Sequence, residues 1–270
     1  MPQSTVIVNS SVESRLQKIF ADLQYPSKLV LVQGDLLPGT AQETVATAME
    51  YTGSKLNHVV SHGAVRYWTE MQAGCDETFS LESTSTKKLL DMDPDEFAIA
   101  STQLAKMHLT AAQTLLPQMA TCDGGDSDGD SDGDGGTRIS LKQKPTYTFV
   151  TGDGGGHRSG KRSSTGEINS HHIWGLSAAL RSELESSNVV CREVRVGLPI
   201  NRSMEERANE PRVRPLSADI CDLCAGVASS GGENMRGQLL EINSQNELED
   251  YLGKFNADKD KSINLPHGSL

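Results

Sequence analysis

The chain has 270 residues, 36% of them apolar and 4% aromatic, and a formal net charge of -11. That length suits one large α/β domain with a buried sheet and is short for two domains of ordinary size. The acidic balance argues against a nucleic-acid partner, and no apolar run approaches the roughly 18 to 20 residues of a membrane helix.

Five cysteines, an odd number scattered along the chain, do not read as a disulfide framework. With no leader-like segment before the strand-like run Thr5 to Asn9, a soluble cytoplasmic protein is expected. That first run is followed by Val12, Leu16, Ile19, Phe20 and Leu23, the stripe of an amphipathic helix, with Ser10 and Glu13 spaced as a capping box.

Lys28 to Gln33 is a second apolar strand, and Thr40 with Glu43 repeats the capping signal ahead of a helix bearing Val45, Ala48 and Met49 and ending at Gly53. Leu56 to Ser61 gives a third strand, and the polar stretch from Arg66 to Asp93 an irregular excursion. From Pro94 the helical period returns through Phe97, Leu104, Met107, Ala111 and Leu115, predicting a helix of about 20 residues that stops before Pro117.

Thr146 to Thr151 is a fourth strand. The Gly-rich loop Gly152 to Gly166 leads to a helix marked by Ile168, Leu176, Ala179, Leu180 and Leu184. Asn188 to Val196 is a fifth strand, Ser217 starts a helix with Ile220, Leu223 and Val227, and Gln238 to Ile242 is a sixth strand. Strands that are continuous apolar runs alternating with helices predict a doubly wound, mainly parallel sheet covered on both faces.

Several local motifs admit a chemical reading and a plainer one. Asp128 to Gly133 has the Asp-x-Asp-x-Asp-Gly start of a calcium loop, but Ile139 stands where the bidentate glutamate belongs. The tract from Asp123 to Gly136, with six aspartates and six glycines, is more simply a flexible solvated insertion. Gly155, Gly160 and Lys161 have phosphate-loop spacing, yet Arg162 replaces the hydroxyl residue that would hold magnesium. Cys221 and Cys224 form a lone C-x-x-C pair in a helical pattern, for which packing is the simpler account. His171 and His172 are candidate substitute acids, against a surface role at a helix start.

The ordered series of elements resembles the short-chain dehydrogenase/reductase family across most of the chain. Val6 to Ser11 resembles that family's second strand, Gly34-Asp35-Leu36 the acidic end of its third, and Val59 to Ala64 the turn after its fourth. Phe97 to Met119 is similar to its long Pro-x-Met helix, and Trp174 to Leu184 with Val189 to Pro199 to its active-site helix and the strand beyond. The resemblance implies a Rossmann-like α/β fold that lacks the usual first strand and glycine-rich loop. Residues 1–245 would form one domain with a flexible acidic insertion at 122–137, and 246–270 a loose tail.

By the same resemblance the activity would be NAD(P)-dependent oxidoreduction. The residual cofactor edge would be Asn9, Ser10, Asp35, Leu36, Ser61, His62 and Gly63, with NAD or NADP as the possible cofactor and binding weakened by the missing loop. The preference between NAD and NADP stays open, because neither Asn9 nor Ser10 is acidic or basic. The family's catalytic residues are absent: its tyrosine position falls on Gly166, its lysine on Ser170, its serine near Asp153 and its helical asparagine near Leu104. In the family's strand order, 3-2-1-4-5-6, loss of the first strand leaves a gap between the strands at Val6 and Val59. Either those strands close up or the sequence is an incomplete copy. The alternative function is a non-catalytic scaffold or inactive dimer partner, and the resemblance implies a homodimer through the helices Pro94 to Pro117 and Gly166 to Ser186.

Overall fold

Among the described residues six strands, each parallel to its hydrogen-bonded neighbour, form two sheets rather than one. The structure is a computed structural model and describes residues 6–10, 13–14, 16–17, 29–52, 56–62, 89–120, 144–152, 164–197, 217–229 and 238–263. The smaller sheet pairs β1 (Val6–Ser10) with β2 (Leu29–Gln33) in the register Val6↔Leu29 to Ser10↔Gln33. Between them residues 13, 14, 16 and 17 are helical and Leu16 is buried. The larger sheet has the order β3 (His58–Ser61), β4 (Thr146–Gly152), β5 (Val190–Val196) and β6 (Leu239–Ile242).

Five helices complete the described elements: α1 (Ala41–Thr52), α2 (Pro94–Ala120), α3 (Ser164–Glu183), α4 (Ser217–Ser229) and α5 (Gln245–Ile263), with a 3-10 turn at Leu89–Asp91. β4 and β5 sort their side chains by parity, as a strand covered on both faces must. Tyr147, Phe149, Val189 and Cys191 pack with Ala112 and Met119 of α2, joined by Leu180 of α3. Val194 and Val196 turn the other way and pack with Ile220, Leu223 and Val227 of α4 and Leu248 of α5.

An α/β order of parallel strands and helices is therefore present, and the strands at Val6 and Val59 belong to separate sheets among the described residues. β1 and β3 are not hydrogen-bonded to each other. The smaller sheet is joined to the larger through α1, which packs on β2 and on α2.

Two boundary expectations are corrected. α2 runs through Pro117 to Ala120, because a proline this close to the C-terminus removes little from the ladder and Met119 is fully buried beyond it. The tail from 246 is not loose along its length: α5 occupies Gln245–Ile263. Its start is a capping box in which Glu247 N donates to Ser244 Oγ at 3.2 Å, while Asn243 N and Ser244 N donate to Glu247 Oε2 at 2.6 and 3.1 Å. Leu248 then buries itself against β6 and α4. The acidic insertion lies outside the described residues.

Candidate functional site

In an open α/β sheet, ligands bind beyond the carboxyl ends of the strands where the strand order reverses. The expected edge residues are drawn from the ends of β1, β2 and β3, which the resemblance places at that point. Asn9, on the last turn of β1, donates from Nδ2 to the carbonyls of Val32 and Gly34, both at 3.0 Å. Both amide hydrogens are thereby engaged with the β2 strand end. Ser10 closes the strand beside it.

Asp35 follows β2, and its carboxylate accepts from Leu37 N at 3.1 Å and from the Thr40 hydroxyl. It organises the turn into α1, a job the sequence assigned to a Thr40–Glu43 capping box. Gly39, at φ 102, supplies the left-handed residue of this turn. Gly34 is needed for a different reason: a Cβ there would stand 2.3 Å from Thr44 Oγ1, which itself donates to the Asp35 carbonyl at 2.8 Å. Leu36 is half-buried in the same elbow.

At the end of β3, Ser61 Oγ lies 3.1 Å from His108 Nδ1 of α2. His108 is buried and tilts against Phe149 at a centroid distance of 5.9 Å. Neighbouring Tyr147 is fully buried; burial pushes its hydroxyl up to about 12, with the Ser61 hydroxyl drawing it partly back. His62 is exposed, and Gly63 lies outside the described residues. Of the seven expected edge residues, then, Asn9, Asp35 and Ser61 use their side chains on the protein's own frame.

Three of the four positions matched to catalysis are among the described residues. Gly166 and Ser170 are on the first two turns of α3, and Leu104 is buried on α2 facing Asn169; Asp153 lies outside the described residues. The two histidines offered as substitutes are turned to other partners. His172 Nδ1 is 2.6 Å from the Ser101 carbonyl of α2, and His171 meets Trp174 edge-on at 4.6 Å.

A buried charged cluster that the sequence reading missed sits further along β5. Glu193, with no exposed surface, accepts from the Thr151 hydroxyl at 2.7 Å and from Arg195, with Arg181 of α3 at 3.6 Å. Arg195 continues to Glu241 of β6 at 3.2 Å and lies over the Trp174 ring at 4.5 Å. On the opposite face Arg192 is fully buried and donates to the Val227 carbonyl near the end of α4; burial lowers its pKa to about 10. The available signal was three charges interrupting the otherwise apolar Val189–Val196 run.

Among the described residues no group of three or more histidine, cysteine or acidic side chains could hold a metal ion. The calcium-like and phosphate-loop-like stretches lie outside the described residues. Cys224 is buried and pushed up to about 12, and Cys221 is raised as well, first by burial and then by Asp222, so neither is primed as a thiolate. No described helix is long and apolar enough to cross a membrane.

The sequence matches no protein-family model, and no curated protein matches it. Solved structures do match in fold. The Pseudomonas aeruginosa RhlG/NADP active-site complex superposes with a TM-score of 0.62 at 13% identity, covering 90% of this chain and 86% of that one. A short chain dehydrogenase from Mycobacterium smegmatis gives 0.61 at 14%, covering 89% and 82%. A 3-oxoacyl-[acyl-carrier protein] reductase with bound NAD from Brucella melitensis gives 0.59 at 14%, covering 89% and 80%. The chain thus has the fold of the short-chain dehydrogenase/reductases, an α/β parallel-sheet architecture whose solved examples include NAD- and NADP-bound oxidoreductases.

A dinucleotide needs unhindered backbone and free N–H groups at its pyrophosphate, and a polar group for its ribose. Among the described residues the Asn9 amide hydrogens and one oxygen of the Asp35 carboxylate are already bonded within the chain. A bound ribose would compete with those bonds.

Proposed function

We propose that this chain is a divergent short-chain dehydrogenase/reductase-like protein that keeps the oxidoreductase scaffold without the Ser/Tyr/Lys machinery for reducing a carbonyl. One observation carries the reading. α3 packs against α2 and β4 as the active-site helix of this fold would, yet it presents Gly166 and Ser170 where a tyrosine acid and a lysine would act. Glycine has no proton to give, and a serine hydroxyl cannot supply the positive charge that lowers a tyrosine pKa.

Residual nucleotide binding at the carboxyl ends of β1, β2 and β3 is the part of the reading that resemblance supports. Titration of the purified chain with NADH and NADPH, followed by thermal unfolding, tests it. A rise in Tm that saturates with either dinucleotide, with no turnover on a carbonyl panel, is the expected result. Turnover on any carbonyl would refute the proposal.

The second reading is a non-catalytic scaffold or inactive partner that dimerises through α2 and α3. It is favoured by the exposed apolar side chains of α2, where Ile99 is 66% exposed and Leu109 37%, and by the exposed small residues Gly175, Ala178 and Ala179 on α3. Light scattering after size exclusion should then give twice the 29.1 kDa chain mass, falling to the chain mass in an Ile99→Glu, Leu109→Glu variant. No dinucleotide-dependent rise in Tm at saturation, together with a dimer, favours this second reading over the first.

A further inference from the structure

Arg192 of β5 has no exposed surface, and only one of its guanidinium nitrogens is used. Nη1 donates to the Val227 carbonyl, while Nε and Nη2 have no hydrogen-bond partner. Those two nitrogens form one edge of the planar group, with N–H bonds directed in parallel, the edge that grips an oxyanion through two bonds at once. Thr148, its ladder neighbour on β4, is also fully buried, and its hydroxyl has no partner either. Both side chains lie on the α4 face of strands about 4.8 Å apart, so the two stand side by side. In the next row His58 Nδ1 is 3.0 Å from Thr146 Oγ1. His58 is exposed, and partial desolvation first and the Arg192 guanidinium second hold its pKa below the ordinary 6.5. A buried cation without a counter-charge is costly, and no carboxylate among the described residues pairs with Arg192.

We propose that Arg192 and Thr148 form an internal binding site for the carboxylate of a small aliphatic molecule, entered past His58. The unused guanidinium edge takes both carboxylate oxygens, and the Thr148 hydroxyl donates a third bond. With His58 neutral the site holds a single positive charge. A carboxylate cancels it, whereas a phosphate dianion would leave a buried negative charge in a chain whose net charge is already -11. Val60, the ladder neighbour of Thr148 on its other side, is 48% exposed and offers an apolar surface for a short hydrocarbon chain. Thr148 and Arg192 lie in the amino-terminal halves of β4 and β5, away from the carboxyl ends where a dinucleotide would sit, so the site does not depend on the nucleotide reading.

The test titrates the full chain with sodium acetate and sodium butyrate, with sodium chloride and sodium phosphate at equal ionic strength for comparison, and follows thermal unfolding. Tm should rise and saturate with either carboxylate, beyond its change in chloride or phosphate. An equal rise in chloride is charge screening and overturns the proposal, and a larger rise in phosphate overturns the carboxylate assignment. Arg192→Met should lose the carboxylate-dependent rise. Without carboxylate it should melt no lower than the parent, because an apolar side chain of similar size removes an uncompensated buried charge. A rise that survives in folded Arg192→Met overturns the site. Thr148→Val matches the side-chain shape and gives up no existing bond, so it decides the question should Arg192→Met fail to fold. It should weaken acetate binding roughly fivefold, the worth of one hydrogen bond, and unchanged affinity overturns the three-donor site.

Discussion

Asn169 reaches from α3 into the hydrogen-bond ladder of α2, where Leu104 N lies 3.4 Å from its Oδ1 while its Nδ2 donates to the Ala100 carbonyl at 2.6 Å. Leu104 and Ala100 are the i and i−4 partners of one helical bond, so the amide brackets that step from outside. His172, one turn along α3, fastens to the Ser101 carbonyl beside it. The two long helices are therefore joined by polar bonds as well as by packing.

Replacing Asn169 with Leu removes both bonds in a site with no exposed surface. Loss of a buried partner costs about 1–3 kcal/mol, and for a chain of this size each kcal/mol lowers Tm by about 2–4 °C. A melting curve of Asn169→Leu should shift down by that amount, whereas His172→Ala, at an exposed position, should shift less. Equal shifts would show that the amide is not the main tie.

Glu193 is the centre of the buried charged cluster. Removing one member of such a cluster leaves the others desolvated without compensation and typically costs about 3–5 kcal/mol. Glu193→Ala should therefore unfold at clearly lower urea than the parent. Glu193→Leu combined with Arg195→Leu should recover much of the loss, because the uncompensated cation goes with the anion. If the double variant is no better than the single one, Arg181 or the Thr151 hydroxyl is the partner that matters.

Three buried titratable groups give the alkaline limb of stability its shape. Burial is the leading cause for each, with Cys191, Cys224 and Tyr147 all pushed up to about 12. A raised folded value means that the neutral form is favoured by folding. Its contribution is present below the ordinary pKa, near 8.5 for thiols and 10 for tyrosine, and is lost as pH rises through about 12. Stability should fall from about pH 9 upward, and the double variant Cys191→Val, Cys224→Val should flatten the first part of that fall. At pH 8, alkylation mapped by mass spectrometry should reach Cys221 well before Cys191 or Cys224.

Much of the frame was legible because it rests on periodicity. The apolar runs at Val6, Leu29, Val59, Tyr147, Val190 and Leu239 all became strands, and their parallel pairing follows from the helices between them. What escaped were features that apolar periodicity does not report. The Ser244–Glu247 capping box was passed over because the sequence beyond it is polar, although Leu248 and Leu252 pack against the core. At the site, Asn9 and Ser61 lie in the strand ends and Asp35 just past one, but spacing could not reveal that each would bond within the chain. Val32 and His108 are set by the fold rather than by local pattern, while the Asp35 bond to Leu37 is a local turn.

The elbow after β2 gives the sharpest test of that local geometry. A Cβ on Gly34 would meet Thr44 Oγ1 at 2.3 Å, Cγ2 at 2.9 Å and Cβ at 3.0 Å, too close on every atom for a small adjustment. Gly34→Ala must therefore push α1 away from β2, and overpacking of this kind costs about 1–3 kcal/mol. Removing the Thr44 side chain beyond Cβ relieves the two closest contacts but gives up the 2.8 Å bond to the Asp35 carbonyl. Thr44→Ala alone should then be mildly destabilising, and Gly34→Ala with Thr44→Ala should be more stable than Gly34→Ala alone. Urea unfolding of the three variants measures the coupling directly. Strict additivity would mean that the two residues do not share the contact, and that α1 is held to β2 by other groups.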